Sequence, residues 1–330
     1  MKRETMSYPT VIDEVAEKAI ADERISRAEA EALLNTPDEH WLRLLAAADR
    51  VRMHFKGSHF DACSLINARS GRCGEDCAFC AQSARHSTDC ETYPLRSDDE
   101  IMEAALAAKD AGAARFCTVT SGGALSPQEF DRLTHSLEKV HAEIDIALDA
   151  SLGFLNEERA ARLRAVGVTR YNHNLETSPE YYAEICTTHR FDQRVSTVRT
   201  VLNSGLSACC GGIIGMGETP AQRLDLAFVL ADLKVDCVPI NILNPRPGTP
   251  LEHATPLEPR EILKTVAIFR LILPHATIKI AGGRERNLGD FQGMALRAGA
   301  NGMIIGGYLT TAGRSVEDDL RMVREAGFAI

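Results

Sequence analysis

The sequence predicts an α/β protein: a (βα)8 barrel of the TIM type with an N-terminal helical extension. Three observations carry that expectation. From residue 62 onward, eight short apolar runs alternate with eight amphipathic stretches. No glycine–serine linker interrupts them. A length of 330 residues also suits a parallel barrel folded as one unit. The expected boundaries are residues 1–55 for the extension and 56–330 for the barrel.

Residues 9–55 read as helices. Ser26-Arg27-Ala28-Glu29 fits a capping box, in which the hydroxyl and the carboxylate each satisfy a backbone N–H left open at a helix start. Thr36-Pro37-Asp38-Glu39 fits a second box with proline at the first helical position. Leu42, Leu44, Leu45, Ala48 and Val51 then recur near helical spacing. The extension reads either as a lid or plug or, more simply, as core packing on the rest of the chain.

In the barrel, strands are expected at 63–67, 115–120, 144–150, 170–174, 207–214, 237–242, 277–281 and 302–305. Helices are expected near 98–112, 126–141, 156–166, 190–204, 220–233, 258–273, 287–299 and 315–326. Ser126-Pro127-Gln128-Glu129 and Thr219-Pro220-Ala221-Gln222 repeat the cap signal, and Gly167 and Gly205 stop helices just before strands.

Composition narrows the class. Hydrophobic content of 45% and charged content of 25% are those of a soluble globular protein, and a net charge of −9 counts against a nucleic-acid partner. No run of 18 apolar residues is present, so no membrane span is expected. The opening MKRETMSYPTVIDEVAEKA carries acids and lacks the apolar core of a signal peptide. Ten cysteines without an export signal point to a reducing compartment, the cytoplasm.

The chemistry concentrates in Cys73-Gly74-Glu75-Asp76-Cys77-Ala78-Phe79-Cys80. Three cysteines on one short segment cannot wrap a tetrahedral zinc ion alone, and no histidine or fourth cysteine follows at zinc-finger spacing. An odd trio also argues against a disulfide framework. A [4Fe–4S] cluster takes one cysteine per iron, so three ligands would leave one iron open to a small molecule. The trio follows the first strand, and in such barrels the chemistry sits at the C-terminal strand ends.

Other candidates fall at strand ends too. Asn172, Asn174 and Glu176 alternate and are expected to point into the barrel, where buried amides and a carboxylate need partners. Gly211, Gly215 and Glu218 close the fifth strand in a turn that admits either close approach of a ligand or simple chain reversal. Gly282, Gly283 and Arg284 after the seventh strand read as an anion cradle or a plain turn. Cys209 and Cys210 are adjacent in a strand, so at most one faces inward; Cys209 is the expected one. Cys90 and Cys237 read as small buried hydrophobes.

The spacing C-x3-C-x-aromatic-C resembles the hallmark of the radical S-adenosylmethionine (SAM) superfamily. The longer run CSLINARSGRCGEDCAFCAQSARH, followed by YNHNLETS, GGIIGMGET and PINILNPRPGTP, resembles the biotin synthase family from about residue 45 to 312. That resemblance implies a [4Fe–4S] cluster on Cys73, Cys77 and Cys80 whose open iron chelates SAM, and a reduced cluster that cleaves SAM to a 5′-deoxyadenosyl radical. It implies dethiobiotin as substrate, with sulfur inserted between two unactivated carbons. It places Gly211, Gly215 and Glu218 against the adenine, Asn174 and Glu176 on SAM with Glu176 at the ribose hydroxyls, and Arg194 on the SAM carboxylate. Asn172, Asn174 and Asn241 fall to the substrate, Asn241 at its ureido ring. Family members often carry Asp where this chain has Glu176.

The family draws its sulfur from an auxiliary cluster, [2Fe–2S] in the best-described members, on three cysteines and an arginine. Cys117 and Cys209 match two of those positions, whereas Asp149 and Lys279 occupy the others. Carboxylate is a harder ligand than thiolate, and an ammonium must lose a proton to bind at all. Cys63, Cys210 and Cys186 are candidates to complete the set, as is Lys279 once deprotonated, and the CSLINA run resembles a subgroup in which a cysteine replaces a non-ligand residue, so an auxiliary cluster of variant type is expected. The family further implies a flavodoxin- or ferredoxin-like electron donor and a homodimer. Two alternatives stand beside this reading: a related radical barrel enzyme acting in lipoyl-type sulfur insertion, amino-acid rearrangement or hydrogenase maturation, and a non-enzymatic iron–sulfur electron carrier or scaffold.

Overall fold

The computed structural model describes residues 8–309 and 313–330. Residues 1–7, where the acidic opening stretch and the expected extension begin, and residues 310–312, at the end of the family-like blocks, lie outside the described residues. The strands are β1 (Asp61–Arg69), β2 (Arg115–Thr120), β3 (Ala147–Ser151), β4 (Val168–Asn172), β5 (Ser207–Cys209), β6 (Gly212–Ile214), β7 (Cys237–Ile242), β8 (Thr277–Ile280) and β9 (Gly302–Ile304). They form one sheet in the order β5-β4-β3-β2-β1-β9-β8-β7-β6, and a further β5–β7 pairing through Cys209 and Cys237 closes it. All pairings are parallel. The expected (βα)8 barrel is therefore present, with β5 and β6 as two halves of its fifth strand.

The break between those halves has a steric cause. A Cβ at Gly211 would lie 2.0 Å from the Pro239 carbonyl oxygen, so the chain crosses β7 too closely for any side chain. The fifth strand bends there instead of running straight from 207 to 214.

Helices flank the barrel where amphipathic periodicity placed them, from Asp98–Asp110 to Val316–Glu325. Capping boxes form at Ser26, Ser126 and Thr219. The box expected at Thr36 does not: its hydroxyl donates to the Leu33 carbonyl at 2.7 Å, closing the preceding helix instead of opening the next. A short 3-10 turn, Asp38–His40, fills the gap. The expected third strand starts three residues late because the helix Pro127–Glu143 runs on to Ile144. The expected helix 287–299 is broken at Gly289, whose φ of 49° ends Arg284–Leu288 before Gln292–Arg297 begins.

The extension comprises α1 (Tyr8–Ile20), α2 (Arg27–Leu34) and α3 (Trp41–Lys56). Ile12, Val15, Leu44, Ala48 and Val51 are buried in the same core as the barrel helices, and α3 packs on Pro259–Ile272. Core packing, not a lid, is what these helices do. Leu42, expected on the packed face, is 56% exposed. Among the described residues, no helix is long and apolar enough to cross a membrane.

Candidate active site

The loop after β1 carries the three cysteines without regular secondary structure, so other bonds must hold it. Cys73 N–H donates to the Gln82 carbonyl at 3.0 Å, Ala84 N–H to that of Cys73 at 2.8 Å, and Cys80 N–H to that of Cys77 at 2.9 Å. The Asp76 carboxylate accepts from the backbone N–H groups of Thr187 and Thr188 at 2.9 and 3.1 Å, and Ala78 N–H donates to the Ile185 carbonyl at 2.8 Å. The loop is thereby tied to the segment before the helix Phe191–Asn203. Burial disfavours the Asp76 charge, but the Thr187 and Thr188 donors outweigh it and hold the carboxyl well below the usual range.

This anchoring turns Cys73, Cys77 and Cys80 toward one cavity of about 360 Å³ at the C-terminal ends of the strands. Burial pushes the Cys80 thiol up to about 11. A thiol so placed does not ionise unaided at neutral pH; a metal must draw the proton off.

Asn172, Asn174, Glu176 and Arg194 all line the same cavity. β4 ends at Asn172, two residues earlier than expected, so Asn174 and Glu176 stand on the loop beyond it. His173 also lines the wall, which strict strand alternation would not allow. Glu176 takes φ of 70°, the left-handed region, and its carbonyl accepts from Ile213 N–H at 2.8 Å. Arg194 donates to the Asn174 carbonyl at 2.9 Å and to the Tyr182 hydroxyl at 2.6 Å, with its other nitrogen 3.6 Å from Glu176 Oε1. Burial raises the Glu176 carboxyl above its ordinary value, partly offset by Arg194. Glu176 Oε2, Asn172 Oδ1 and His173 Nε2 are buried without a hydrogen-bond partner among the described residues. Each such atom costs about 1–3 kcal/mol unless a ligand meets it.

Asn241 lines the wall as well, but it is mostly engaged. Its Oδ1 accepts from Gly282 N–H at 2.9 Å and from the Tyr308 hydroxyl at 3.0 Å, and its Nδ2 donates to the Gly212 carbonyl at 3.1 Å. One N–H remains for a ligand, rather than the donor and acceptor together.

Gly211, Gly215 and Glu218 are not in the wall; Ile213 is. The Glu218 carboxylate closes its own turn, accepting from Gly215 and Met216 N–H at 2.7 and 2.8 Å and pairing with Arg223 at 2.7 Å. Gly282 and Gly283 do line the cavity. Arg284, expected beside them, is buried against Asp319 at 2.6 Å.

Deeper in the barrel, Cys63, Cys117, Cys209 and Lys279 line the cavity. Asn172 donates to Cys117 Sγ at 3.1 Å. Lys279 is bound to Asp61 at 2.8 Å, and Arg170 to the other oxygen of Asp61 at 3.0 Å. Burial opposes the Lys279 charge, but Cys63, Cys237 and Asp61 around it outweigh that and raise its pKa above the ordinary lysine value. Asp149 is not in the wall; it pairs with Arg115 at 2.6 Å. Asp149 and Lys279 are thus both engaged in ion pairs.

Cysteines left open by the sequence are now placed. Cys210 packs in the outer core, on the opposite side from Cys209, as expected. Cys186 stands 3.9 Å from Cys77 and 3.2 Å from His189 Nδ1, at the mouth loop and away from the deep thiols. Cys77, Cys186 and His189 are the one group of His, Cys and acidic side chains close enough for a single metal ion among the described residues. Cys237, read as a simple hydrophobe, has its Sγ 3.3 Å from that of Cys209. Its spacing of two and four from Pro239 and Asn241, both in the wall, was the signal that could have found it.

A closed parallel barrel that turns three cysteines from its first strand loop onto a cavity with buried, unmatched polar groups defines a radical SAM enzyme, and residues 67–230 match the Radical SAM superfamily model. Residues 239–329 match the Biotin and Thiamin Synthesis associated domain. The chain is 46% identical over 317 residues to the biotin synthase of Citrifermentans bemidjiense, covering 96% of this chain and 97% of that one. It is 46% identical to that of Pelotomaculum thermopropionicum, covering 97% and 100%, and 45% identical to that of Geobacter sulfurreducens, covering 98% of each. The chain belongs to the biotin synthase family. Among solved structures, methylornithine synthase superposes with a TM-score of 0.83 at 22% identity, covering 95% of this chain and 96% of that one. The FeFe-hydrogenase maturase HydG from Carboxydothermus hydrogenoformans does so with 0.81 at 19%, covering 96% and 78%. At these identities the likeness is one of fold.

Proposed function

We propose that this chain makes biotin by radical insertion of sulfur into dethiobiotin, and that the residues described above divide that task. The observation that carries the reading is the joining of family membership to a cavity in which three loop cysteines face buried polar atoms left unmatched among the described residues. With SAM bound, a [4Fe–4S] cluster on Cys73, Cys77 and Cys80 would supply the 5′-deoxyadenosyl radical that removes hydrogen from an unactivated carbon.

The protein's own part is to bind, orient and exclude water. Arg194, fixed by Tyr182 and the Asn174 carbonyl, offers a permanent cation to the SAM carboxylate. Glu176 Oε2, buried and unmatched, suits the ribose hydroxyls, and Asn174 stands beside it. Asn241 and Asn172 offer an N–H and an amide oxygen to the ureido ring. Gly211, Gly215 and Glu218 act through the shape of their turn, which presents Ile213 to the cavity.

An auxiliary iron–sulfur group held inside the barrel would supply the sulfur. Cys63, Cys117 and Cys209 would be its thiol donors; with Asp149 and Lys279 committed to ion pairs, its make-up would differ from a [2Fe–2S] cluster on three cysteines and an arginine. Family likeness also supports a flavodoxin- or ferredoxin-like electron donor, a homodimer and a cytoplasmic setting.

Anaerobic incubation of the reconstituted protein with SAM, an electron donor and dethiobiotin is expected to yield biotin. Deoxyadenosine without biotin would move the assignment to a related radical enzyme. Iron and sulfide counts test the auxiliary group: about four irons per chain, the content of a single cubane, with no second spectral component, would remove it.

A further inference from the structure

Cys237 is the thiol that sequence reasoning set aside. It opens β7, stands opposite Cys209 in the β5–β7 register, is fully buried, and brings its Sγ to 3.3 Å from that of Cys209. Its strand face also carries Pro239 and Asn241, which line the cavity; Cys237 itself sits just behind that wall, against Cys209. Cys63 and Cys117, from β1 and β2, line that cavity together with Cys209.

The other candidates for a further ligand are each engaged elsewhere. The Asp149 carboxylate pairs with Arg115 at 2.6 Å and faces Arg170 at 3.9 Å. Lys279 binds Asp61 at 2.8 Å. Cys186 stands beside Cys77, and Cys210 packs in the outer core. Irons in such clusters are usually held by cysteine thiolates, softer donors than a carboxylate, and an ammonium has no lone pair to offer until it loses a proton.

We propose that Cys237 is a thiol ligand of the auxiliary iron–sulfur group, which is thus held by four strand-borne cysteines: Cys63, Cys117, Cys209 and Cys237. This rests on the auxiliary group assigned under Proposed function. It explains how a chain lacking the family's third cysteine and its arginine still offers four protein donors.

The test separates the two clusters. In the full chain carrying Cys73→Ala, Cys77→Ala and Cys80→Ala, iron that survives anaerobic reconstitution belongs to the auxiliary group. Adding Cys237→Ala to that parent is expected to lower retained iron and sulfide by about half or more, as loss of a ligand does, and to change the visible absorption of what remains. Adding Cys210→Ala, the same truncation on the other face, is expected to leave iron and spectrum as in the parent. Equal iron and an unchanged spectrum in the parent and the Cys237→Ala variant overturn the inference alone. An equal iron loss from Cys210→Ala also overturns it, because the effect is then one of packing. A parent that holds no iron overturns both this inference and the auxiliary group itself.

Discussion

Individual side chains divide into those whose chemistry is local and those whose meaning depends on a distant neighbour. Cys73, Cys77 and Cys80 were legible because their spacing alone places three soft donors on one loop. Cys237 was not: in an apolar strand it looks like packing, and its partner Cys209 is 28 positions away. Asn241 was half legible, since its place in the wall was foreseen but its bonds to Gly282 and Tyr308 were not. Glu176 supplies the sharpest test at this scale. Glu176→Gln keeps the shape but removes the charge beside Arg194, and is expected to raise the SAM concentration for half-maximal deoxyadenosine formation about tenfold, the ~1.4 kcal/mol scale of one charged hydrogen bond. An unchanged requirement in a steady-state titration would separate Glu176 from SAM.

Secondary-structure elements were well foretold in kind and less well in extent. Alternation and cap signals marked every barrel strand, yet β4 stops at Asn172 because the chain must turn through the left-handed Glu176, and no residue in YNHNLE announces that. Among the caps, Glu129 couples an element to the site. Its carboxylate completes the box at Ser126 and also binds Arg69, the last residue of β1 before the cysteine loop, at 2.9 Å. Burial would raise this carboxyl, but Ser126 and Arg69 bring it from 4.5 down to about 2. A depressed carboxyl stabilises the fold above its unfolded value, and that contribution disappears as pH falls from about 4.5 toward 2. Glu129→Gln is therefore expected to lower the melting temperature at pH 7 and to converge on the parent only as pH falls to about 2. A pH-independent difference in thermal melts would refute the linkage.

For the molecule as a whole, barrel closure and buried charge decide stability. The sequence implied eight strands but not that the fifth breaks at Gly211 so that Cys209 can meet Cys237, because close approach of two backbones leaves no pattern in either segment. Gly211→Ala is expected to destabilise the chain by about 1–3 kcal/mol through overpacking against Pro239, measured by urea unfolding. Asp61 holds both Lys279 and Arg170 inside the barrel, and Asp61→Asn, which takes the nearest carboxylate from two buried cations, is expected to lose about 3–5 kcal/mol in the same assay. The central claim is that three thiolates from one loop leave an iron open for SAM in this barrel. Its most direct measurement is deoxyadenosine formed from SAM by anaerobically reconstituted, reduced protein in the presence of dethiobiotin, beside a Cys77→Ala variant. Parent protein that consumes SAM and releases deoxyadenosine, with the variant releasing none, is the predicted result; iron-loaded, reduced parent protein that leaves SAM intact would contradict it.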